Sequence, residues 1–398
     1  MKICIDIGTT TIAITAIDPF TNLRIEENLL NEQRFFGVDV ISRIKASIEG
    51  SSILLQTLIQ KNLVKGIDSI LKKSGKTREC VDSIIIAANT TMVHLLLGFS
   101  CEGLAAYPFH PITLDTLTLP ANEVLATQDF SCPVVILPGI SAFVGGDIVS
   151  GIYAINMDQQ DTLSFFLDLG TNGEMALGNK NKILTTSTAA GPAFEGGNIK
   201  YGIAAIKGAI YQVEIKNGDT KFKTLQYGRP LGLCGSGIIE LTSELLKNKL
   251  IDKTGLLCDS YFSSGFPITK SSNGGETIRF FQSDIREIQM AKSAIRVGIK
   301  LLCTQYGCNE SDIETIYLAG AFGSSTNLNG AMTIGLFPSC FEHKIKLVGN
   351  TSLLGAIRYA QKIDAATRLS AFIEKSDVLY LANTPDFESQ FIEHLNFD

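Results

Sequence analysis

The sequence lacks the residue patterns that mark several common classes of protein. Its nine cysteines contain no C-x-x-C pair, and its four histidines have no metal-like spacing. Zinc modules and ferredoxin-type iron–sulfur modules are therefore not expected. Basic residues are not in excess, since 34 Lys and Arg against 40 Asp and Glu give a net charge of −6. With a pI of about 5.4, nucleic acid is not an expected partner.

An uninterrupted apolar run is also missing, although the mean hydropathy of +0.20 is high. The best stretch, residues 132–155, is broken by Pro138 and Asp147, whereas a membrane span needs ~20 largely apolar residues. The sequence opens directly on an apolar strand without a cleavable signal pattern. We therefore expect a cytoplasmic protein with reduced thiols and no membrane partner.

Apolar residues and glycine are what the sequence has in quantity. Glycine accounts for 36 of the 398 residues, apolar residues make up 45% of the chain and charged residues only 19%. The high apolar and low charged fractions exclude a disordered protein. Surplus apolar content is typical of an α/β protein whose central strands are covered on both faces. The length predicts two or three domains, or one large two-lobed fold.

One short pattern occurs twice, each time after an apolar strand. Asp6-Ile-Gly-Thr-Thr follows the first strand, and Asp168-Leu-Gly-Thr-Asn-Gly-Glu follows a strand in the middle of the chain. Each copy continues into further short strands, which predicts two similar lobes. We place these lobes at residues 1–160 and 161–340, followed by an αβα segment at 341–398 whose lobe is left open. The irregular region 253–283 is interpreted as a surface insertion.

Both turns have the composition of a phosphate site. Glycine permits a tight turn, the following N–H groups and threonine hydroxyls can hold phosphate oxygens, and a carboxylate at a strand end can hold hydrated Mg²⁺. A single such turn also occurs in ordinary hairpins, but the pair predicts a nucleotide held between two lobes. The residues assigned to the phosphates are Gly8, Thr9, Thr10 and Thr11 in the first turn and Gly170, Thr171, Asn172 and Gly173 in the second.

Two further glycine-rich loops follow predicted strands. Gly235, Ser236 and Gly237 open a helix, whose free N–H groups are suited to phosphate. Cys234, just before them, would be reactive if the helix start stabilised its thiolate, or is merely small enough to fit. The other loop, which a base or ribose could approach, consists of Gly320, Ala321, Phe322 and Gly323. Simple packing of the turns is the alternative interpretation of these glycines.

In this order the motifs resemble the phosphate 1, phosphate 2 and adenosine segments of the actin, sugar kinase and Hsp70 superfamily (ASKHA). Several more runs are similar to the reductive activators of corrinoid enzymes, and the resemblance covers nearly the whole chain. These runs are residues 37–44, 89–92, 190–197, 232–237, 335–338 and 349–352.

The resemblance implies a two-lobed, actin-like (ribonuclease H-like) ATPase fold with a nucleotide cleft between the lobes. It implies ATP-dependent reduction of corrinoid Co(II) to Co(I), with a corrinoid protein or methyltransferase as partner. Asp6 and Asp168 would then hold Mg²⁺ through water. Longer members carry an iron–sulfur domain, for which this sequence has no cysteine spacing. No cluster is expected here, and electrons would come from a separate donor such as a ferredoxin. The resemblance also suggests a homodimer, which no periodicity shows.

The residue that orients the attacking water is left open by the sequence. Where the superfamily often places a carboxylate or an amide, only Asp147 is available, with Glu174 and Glu195 as alternatives. Arg43 is a candidate for stabilising the charge of the transferred phosphate. Two other functions remain open at this point, a small-molecule kinase of the same superfamily and a nucleotide-binding regulator with negligible turnover.

Overall fold

A computed structural model describes residues 1–18, 23–270, 277–320 and 328–397 of the chain. These residues form two compact units, and the chain passes between the units more than once. Unit 1 comprises Met1–Asp161, Asn179–Ile183 and Asn350–Val378, and unit 2 comprises Thr162–Gly178, Leu184–Gly349 and Leu379–Asp398. Each unit has its own β-sheet and apolar core.

The strands of the described residues are short, as expected from the spacing of the turn residues. They are β1 (Lys2–Ile7), β2 (Thr11–Asp18), β3 (Leu23–Leu30), β4 (Ser83–Ala88), β5 (Leu117–Pro120), β6 (Pro133–Ile136), β7 (Ser164–Leu169), β8 (Gly173–Gly178), β9 (Ile183–Thr188), β10 (Ala209–Lys216), β11 (Asp219–Thr224), β12 (Gly232–Leu233), β13 (Phe266–Lys270), β14 (Thr277–Phe280), β15 (Thr315–Gly320), β16 (Ile345–Gly349) and β17 (Ser376–Val378).

The α-helices of the same residues include two long ones. They are α1 (Val40–Ala46), α2 (Ser52–Ser74), α3 (Thr90–Leu97), α4 (Glu102–Ala105), α5 (Ala121–Leu125), α6 (Gly146–Ala154), α7 (Gly235–Lys247), α8 (Asp259–Phe262), α9 (Gln282–Tyr306), α10 (Leu328–Thr333), α11 (Thr351–Gln361), α12 (Ala365–Ile373) and α13 (Phe387–Glu393). None of these helices is long and apolar enough to cross a membrane.

The sheet of unit 1 has the strand order β3-β2-β1-β4-β6-β5. The predicted meander is confirmed, since β1 pairs antiparallel with β2 and β2 with β3. β4 lies parallel to β1 and to β6, so these three strands end at the same edge of the sheet. That edge is where open α/β sheets usually bind ligands, and Asp6 lies there on β1.

Helices cover both faces of β1, which confirms the expected burial of the central strands. On one face, Ile3 and Ile5 share an apolar core with Leu55, Ile59 and Leu63. The last three recur at four-residue spacing along α2, which places them on one side of the helix. On the other face, the Cys4 thiol donates to the Ala356 carbonyl of α11 at 3.6 Å. Asp6 is therefore carried by a strand that is packed on both faces.

Unit 2 repeats this arrangement around β7. Its strands follow the order β16-β15-β7-β8-β9, with β7 antiparallel to β8 and parallel to β15. β1 has the same two kinds of neighbour in unit 1, so the predicted repeat of architecture is confirmed. Unit 2 also contains a three-stranded sheet, β11-β10-β12, which the sequence patterns did not predict.

The interpretation of residues 253–283 as a surface insertion is wrong. This region contains α8 and the antiparallel pair β13–β14. Its apolar side chains belong to the main core of unit 2, including Leu257, Phe266, Ile268 and Phe280. The two strands are short and are separated by polar residues, so their period-2 pattern was too brief to stand out.

Candidate functional site

The turn between β1 and β2 is tight and partly exposed. The Gly8 N–H donates to the Thr11 carbonyl at 3.0 Å, and a Cβ on Gly8 would lie 2.7 Å from that oxygen. Glycine is therefore needed for close approach of the backbone. Thr10 and Thr11 are exposed, and Thr9 is half-buried. The first predicted phosphate turn thus lies open at the end of β1.

Asp6, at the start of this turn, is held by two side chains from the start of α11. Its Oδ2 accepts a hydrogen bond from Asn350 Nδ2 and its Oδ1 accepts one from Ser352 Oγ, both at 2.7 Å. Asn350 is also the N-cap of α11, where its Oδ1 accepts from the Leu353 N–H at 2.8 Å. Burial raises the pKa of Asp6, and these two hydrogen bonds oppose the rise. A carboxylate has about four acceptor positions, so Asp6 retains capacity for metal-bound water.

Asp147, in the first turn of α6, lies close to Asp6. Its Oδ1 accepts from the Ile148 N–H at 2.8 Å. Burial raises the pKa of Asp147 to about 7, with a further contribution from the charge of Asp6 and opposition from the Ile148 N–H. A carboxyl group that exchanges its proton near neutral pH has the property required of a general base.

Arg43 is fully buried behind the first turn and donates from Nη2 to the Thr9 carbonyl at 2.5 Å. Its Nε donates to the Gly37 carbonyl at 3.0 Å. The expectation that Arg43 stabilises the transferred phosphate is therefore wrong, because its donors lie against acceptors of the protein itself and its side chain has no exposed surface. A spacing of residues along the sequence cannot show on which side of a turn a long side chain lies.

The second turn, between β7 and β8, lies at the matching edge of the sheet in unit 2. Asp168 is paired with Ala319 of the parallel strand β15. The next residue of that strand, Gly320, has a φ of +83°, and a Cβ on it would lie 2.5 Å from Asp168 Oδ1. Gly320 therefore lets the Asp168 carboxylate lie directly against the backbone. Ala321, Phe322 and Gly323, also predicted to contact the nucleotide, lie outside the described residues.

Glu195 reaches the second turn from the short 3₁₀ helix Pro192–Glu195. Its Oε2 accepts a hydrogen bond from Thr171 Oγ1 at 2.9 Å. Burial raises the pKa of Glu195, and the Thr171 hydroxyl opposes the rise. Glu174 lies on β8, opposite Asp168 in the strand register. Glu195 is thus bonded through its side chain to the turn itself.

Three other predicted glycines of unit 2 have packing roles that account for their presence. A Cβ on Gly173 would lie 2.3 Å from Ile295 Cδ1, one on Gly235 1.9 Å from the Phe194 carbonyl, and one on Gly237 2.0 Å from the Ile210 carbonyl. Each position therefore excludes a larger residue without any ligand. Ser236 lies between Gly235 and Gly237 in the first turn of α7, at the helix start where the sequence predicts it.

Cys234 is a buried thiol rather than a reactive thiolate. Its Sγ donates to the Ile210 carbonyl at 3.4 Å. Burial raises the pKa of Cys234 in spite of the N–H groups of Gly237 and Ser236, which lower it. The interpretation of Cys234 as a reactive thiolate is therefore wrong, and the other interpretation, a small residue that fits, agrees with the structure.

Within the described residues, no group of three or more His, Cys, Asp or Glu side chains is placed to coordinate a metal ion directly. Asp6 and Asp168 each lie at a strand end, beside a turn containing N–H and hydroxyl groups. Mg²⁺ is commonly held by one or two carboxylates, with water and substrate phosphates completing its coordination. The side chains present fit that mode of binding.

Two parallel-strand edges, each with an Asp-x-Gly-Thr turn, define the class of protein as ASKHA. The family model described as the C-terminal domain of RACo, the ASKHA domain, matches residues 162–398, and the model described as the RACo middle region matches residues 1–160. The chain belongs to the RACo family.

Relatives with recorded activities support this assignment. Corrinoid activation enzyme RamQ from Eubacterium limosum is 30% identical over 416 aligned positions, which cover 99% of this chain and 70% of RamQ. A Co(II) methylated amine-specific corrinoid protein reductase from Methanosarcina barkeri is 28% identical over 320 positions, covering 71% of this chain and 55% of that protein.

A solved structure, a reductive activator for corrinoid, iron–sulfur protein, matches the whole fold. The TM-score is 0.90 at 31% sequence identity, and the match covers 100% of this chain and 66% of that chain. The α/β, actin-like ASKHA fold expected from the sequence is confirmed. The chain thus spans between about half and 70% of the length of these relatives.

Proposed function

We propose that this chain is the ATPase part of a reductive activator of corrinoid proteins. It binds and hydrolyses ATP and thereby supports the one-electron reduction of corrinoid Co(II) to Co(I) in a corrinoid protein or methyltransferase. The observation that carries the proposal is the similarity to corrinoid activators over 99% and 100% of the chain. The electron comes from a separate donor such as a ferredoxin, and a cytoplasmic location with reduced thiols is part of the proposal.

In this proposal the two turns hold the phosphates and the two strand-end carboxylates hold Mg²⁺ through water. Mg²⁺ would neutralise phosphate charge during hydrolysis. The phosphate contacts are assigned to Gly8, Thr9, Thr10, Thr11, Gly170, Thr171, Asn172, Gly173, Gly235, Ser236 and Gly237, and the adenosine contacts to Gly320, Ala321, Phe322 and Gly323. Asp147 accepts a proton from the attacking water, since the pKa of Asp147 is raised to about 7.

The proposal is tested by following Co(I) formation spectroscopically under anaerobic conditions. The mixture contains the purified chain, a corrinoid protein in the Co(II) state, a reduced ferredoxin and Mg-ATP. Co(I) should accumulate in the complete mixture and stay near its starting level without ATP or with a non-hydrolysable analogue. Equal Co(I) formation with and without the chain would contradict the proposal.

Asp147 is also compatible with a second function, that of a small-molecule kinase. A general base near neutral pKa would serve a substrate hydroxyl as well as a water molecule. The products of γ-labelled ATP separate the two functions. Label released only as inorganic phosphate supports the ATPase, and label transferred to a metabolite supports the kinase. Tight nucleotide binding without turnover would instead support a regulator.

A further inference from the structure

Arg43 is a buried cation whose hydrogen bonds go to uncharged acceptors. Nη2 donates to the Thr9 carbonyl at 2.5 Å and Nε to the Gly37 carbonyl at 3.0 Å. Nη1 lies 3.4 Å from Gln33 Oε1 and 3.4 Å from Met92 Sδ. Burial lowers the pKa of Arg43 to about 10, partly offset by the charge of Asp39, so the guanidinium remains charged at neutral pH. Burying such a group is unfavourable unless its donors are satisfied.

The donors of Arg43 complete a set that fixes three successive carbonyls of the first turn. The Gly8 carbonyl accepts from Asn31 Nδ2 at 3.0 Å, and the Thr10 carbonyl accepts from the Asn31 N–H at 2.9 Å. Arg43 supplies the middle bond, to Thr9. Two residues, Asn31 and Arg43, therefore determine the orientation of every peptide plane from Gly8 to Thr11.

The orientation of these carbonyls decides where the amide groups point. In a trans peptide the C=O and the following N–H lie on opposite sides of the bond. With the carbonyls of Gly8, Thr9 and Thr10 directed at Asn31 and Arg43, the N–H groups of Thr9, Thr10 and Thr11 are directed away from them. N–H groups of successive residues in a turn are a common binding site for anions.

We propose that Arg43 is a positioning residue for nucleotide binding, which fixes the Thr9 peptide so that the first turn presents its amides to the phosphates. The inference rests on the proposed function, because it assigns that turn to the nucleotide. It gives Arg43 an indirect role, in which the guanidinium acts through the backbone and makes no contact with the phosphate.

Arg358 offers a matched control in the same unit. Its Nη1 donates to the Tyr153 carbonyl at 3.3 Å and to Asn156 Oδ1 at 3.0 Å, and it also contacts the Ala154 carbonyl. Like Arg43, Arg358 donates to backbone carbonyls, but those carbonyls belong to the end of α6. Loss of Arg358 should therefore reduce stability without changing the turn.

The test compares Arg43→Met, Arg43→Lys and Arg358→Met with the unaltered chain. Mg-ADP affinity is measured by calorimetry, thermal unfolding reports stability, and amide hydrogen exchange of the β1–β2 turn is followed without nucleotide. Arg43→Met should weaken Mg-ADP binding by roughly 10–100-fold, as expected for loss of hydrogen bonds from a charged donor, and should speed exchange in the turn. Arg358→Met should leave the Mg-ADP affinity and the exchange rate of the turn unchanged.

Arg43→Lys keeps the charge and retains one donor group, so it should fold and give an intermediate affinity and exchange rate. The proposal is overturned if folded Arg43→Met or Arg43→Lys exchanges at the unaltered rate, or if Arg358→Met weakens binding as much as Arg43→Met. If instead the chain has no nucleotide-dependent function, the unaltered chain will not bind Mg-ADP. The exchange comparison will still report whether Arg43 holds the turn.

Discussion

The first turn, after Asp6, and the second turn, after Asp168, are similar in sequence but are supported by side chains of opposite charge. Arg43 supports the first turn by donating to the Thr9 carbonyl. Glu195 supports the second by accepting from the Thr171 hydroxyl. The cation acts on the backbone, whereas the anion occupies a side-chain group that was itself predicted to bind phosphate. A repeated motif therefore does not imply two equivalent sites.

The two supports also differ in how they respond to pH. The pKa of Arg43 is lowered by burial but only to about 10, so its charge is constant around neutral pH. The pKa of Glu195 is raised by burial, so its carboxylate takes up a proton more readily on acidification than an ordinary glutamate does. We therefore expect the support of the second turn to be more sensitive to acidification than the support of the first.

The largest expected effect comes from removing the strand-end carboxylates. Asp168→Ala should abolish Mg-dependent nucleotide binding while leaving the fold intact, and Asp6→Asn should reduce binding by ~100-fold or more if each carboxylate holds metal-bound water. Calorimetry with Mg-ADP, repeated without Mg²⁺, measures the effect, and circular dichroism checks the fold. Unchanged affinity in either variant would show that the turn concerned does not bind the nucleotide.

A large effect on turnover is expected from Asp147→Asn. Loss of a general base lowers kcat by ~10²–10⁴-fold, while Mg-ADP affinity should change little. Because the pKa of Asp147 is about 7, hydrolysis by the unaltered chain should increase as pH rises through about 7 and then level off. A steady-state pH profile provides the check, and a profile without that rise would remove Asp147 from the catalytic step.

Asp147→Asn should also stabilise the chain, by an amount that depends on pH. In the folded chain the pKa of Asp147 is raised from 3.8 to about 7, so the folded state binds more protons than the unfolded state between these values. The contribution of Asp147 to the free energy of unfolding therefore decreases as the pH rises through that range. Asp147→Asn should therefore stabilise the chain more at about pH 8 than at about pH 5. Thermal unfolding at both pH values tests the sign, and a larger gain at the lower pH would contradict it.

The smallest expected effect comes from Glu195→Gln. An ionised carboxylate accepts a hydrogen bond about twice as strongly as a neutral group, so the substitution should release the Thr171 hydroxyl for phosphate. Mg-ADP should bind about threefold more tightly at pH values where Glu195 is ionised, with little change at acidic pH values where it is protonated. Thr171→Val is the control, because it removes the hydroxyl and should make position 195 irrelevant. Weaker binding by Glu195→Gln would instead indicate that the carboxylate itself contributes to the site.

Much of the fold could be predicted from local patterns. The Asp-x-Gly-Thr pair predicted the repeated sheet architecture. Asn89 is of a residue type that favours the N-cap position, and at the start of α3 its Oδ1 accepts from the Met92 N–H at 2.9 Å. The apolar residues Leu55, Ile59 and Leu63 likewise recur at a helical spacing within α2, Ser52–Ser74. These features depend on residues that are neighbours in the sequence. The boundaries of the lobes at residues 160 and 340, and the homodimer, stay predictions.

The contacts that complete the site depend on residues far apart in the sequence. The run 349–352 was recognised as typical of the family, but only the fold brings Asn350 and Ser352 to Asp6. The direction of Arg43 and the burial of Cys234 depend in the same way on packing. Sequence spacing predicts which residue types belong to a site, and the three-dimensional packing decides which group each of them contacts.

The most direct test of the central claim is ATP turnover by the purified chain, alone and with a Co(II) corrinoid protein. We predict that the corrinoid protein stimulates hydrolysis and that Asp147→Asn abolishes the stimulated rate. Absence of hydrolysis in both samples, with nucleotide bound, would contradict the ATPase function and support the nucleotide-binding regulator.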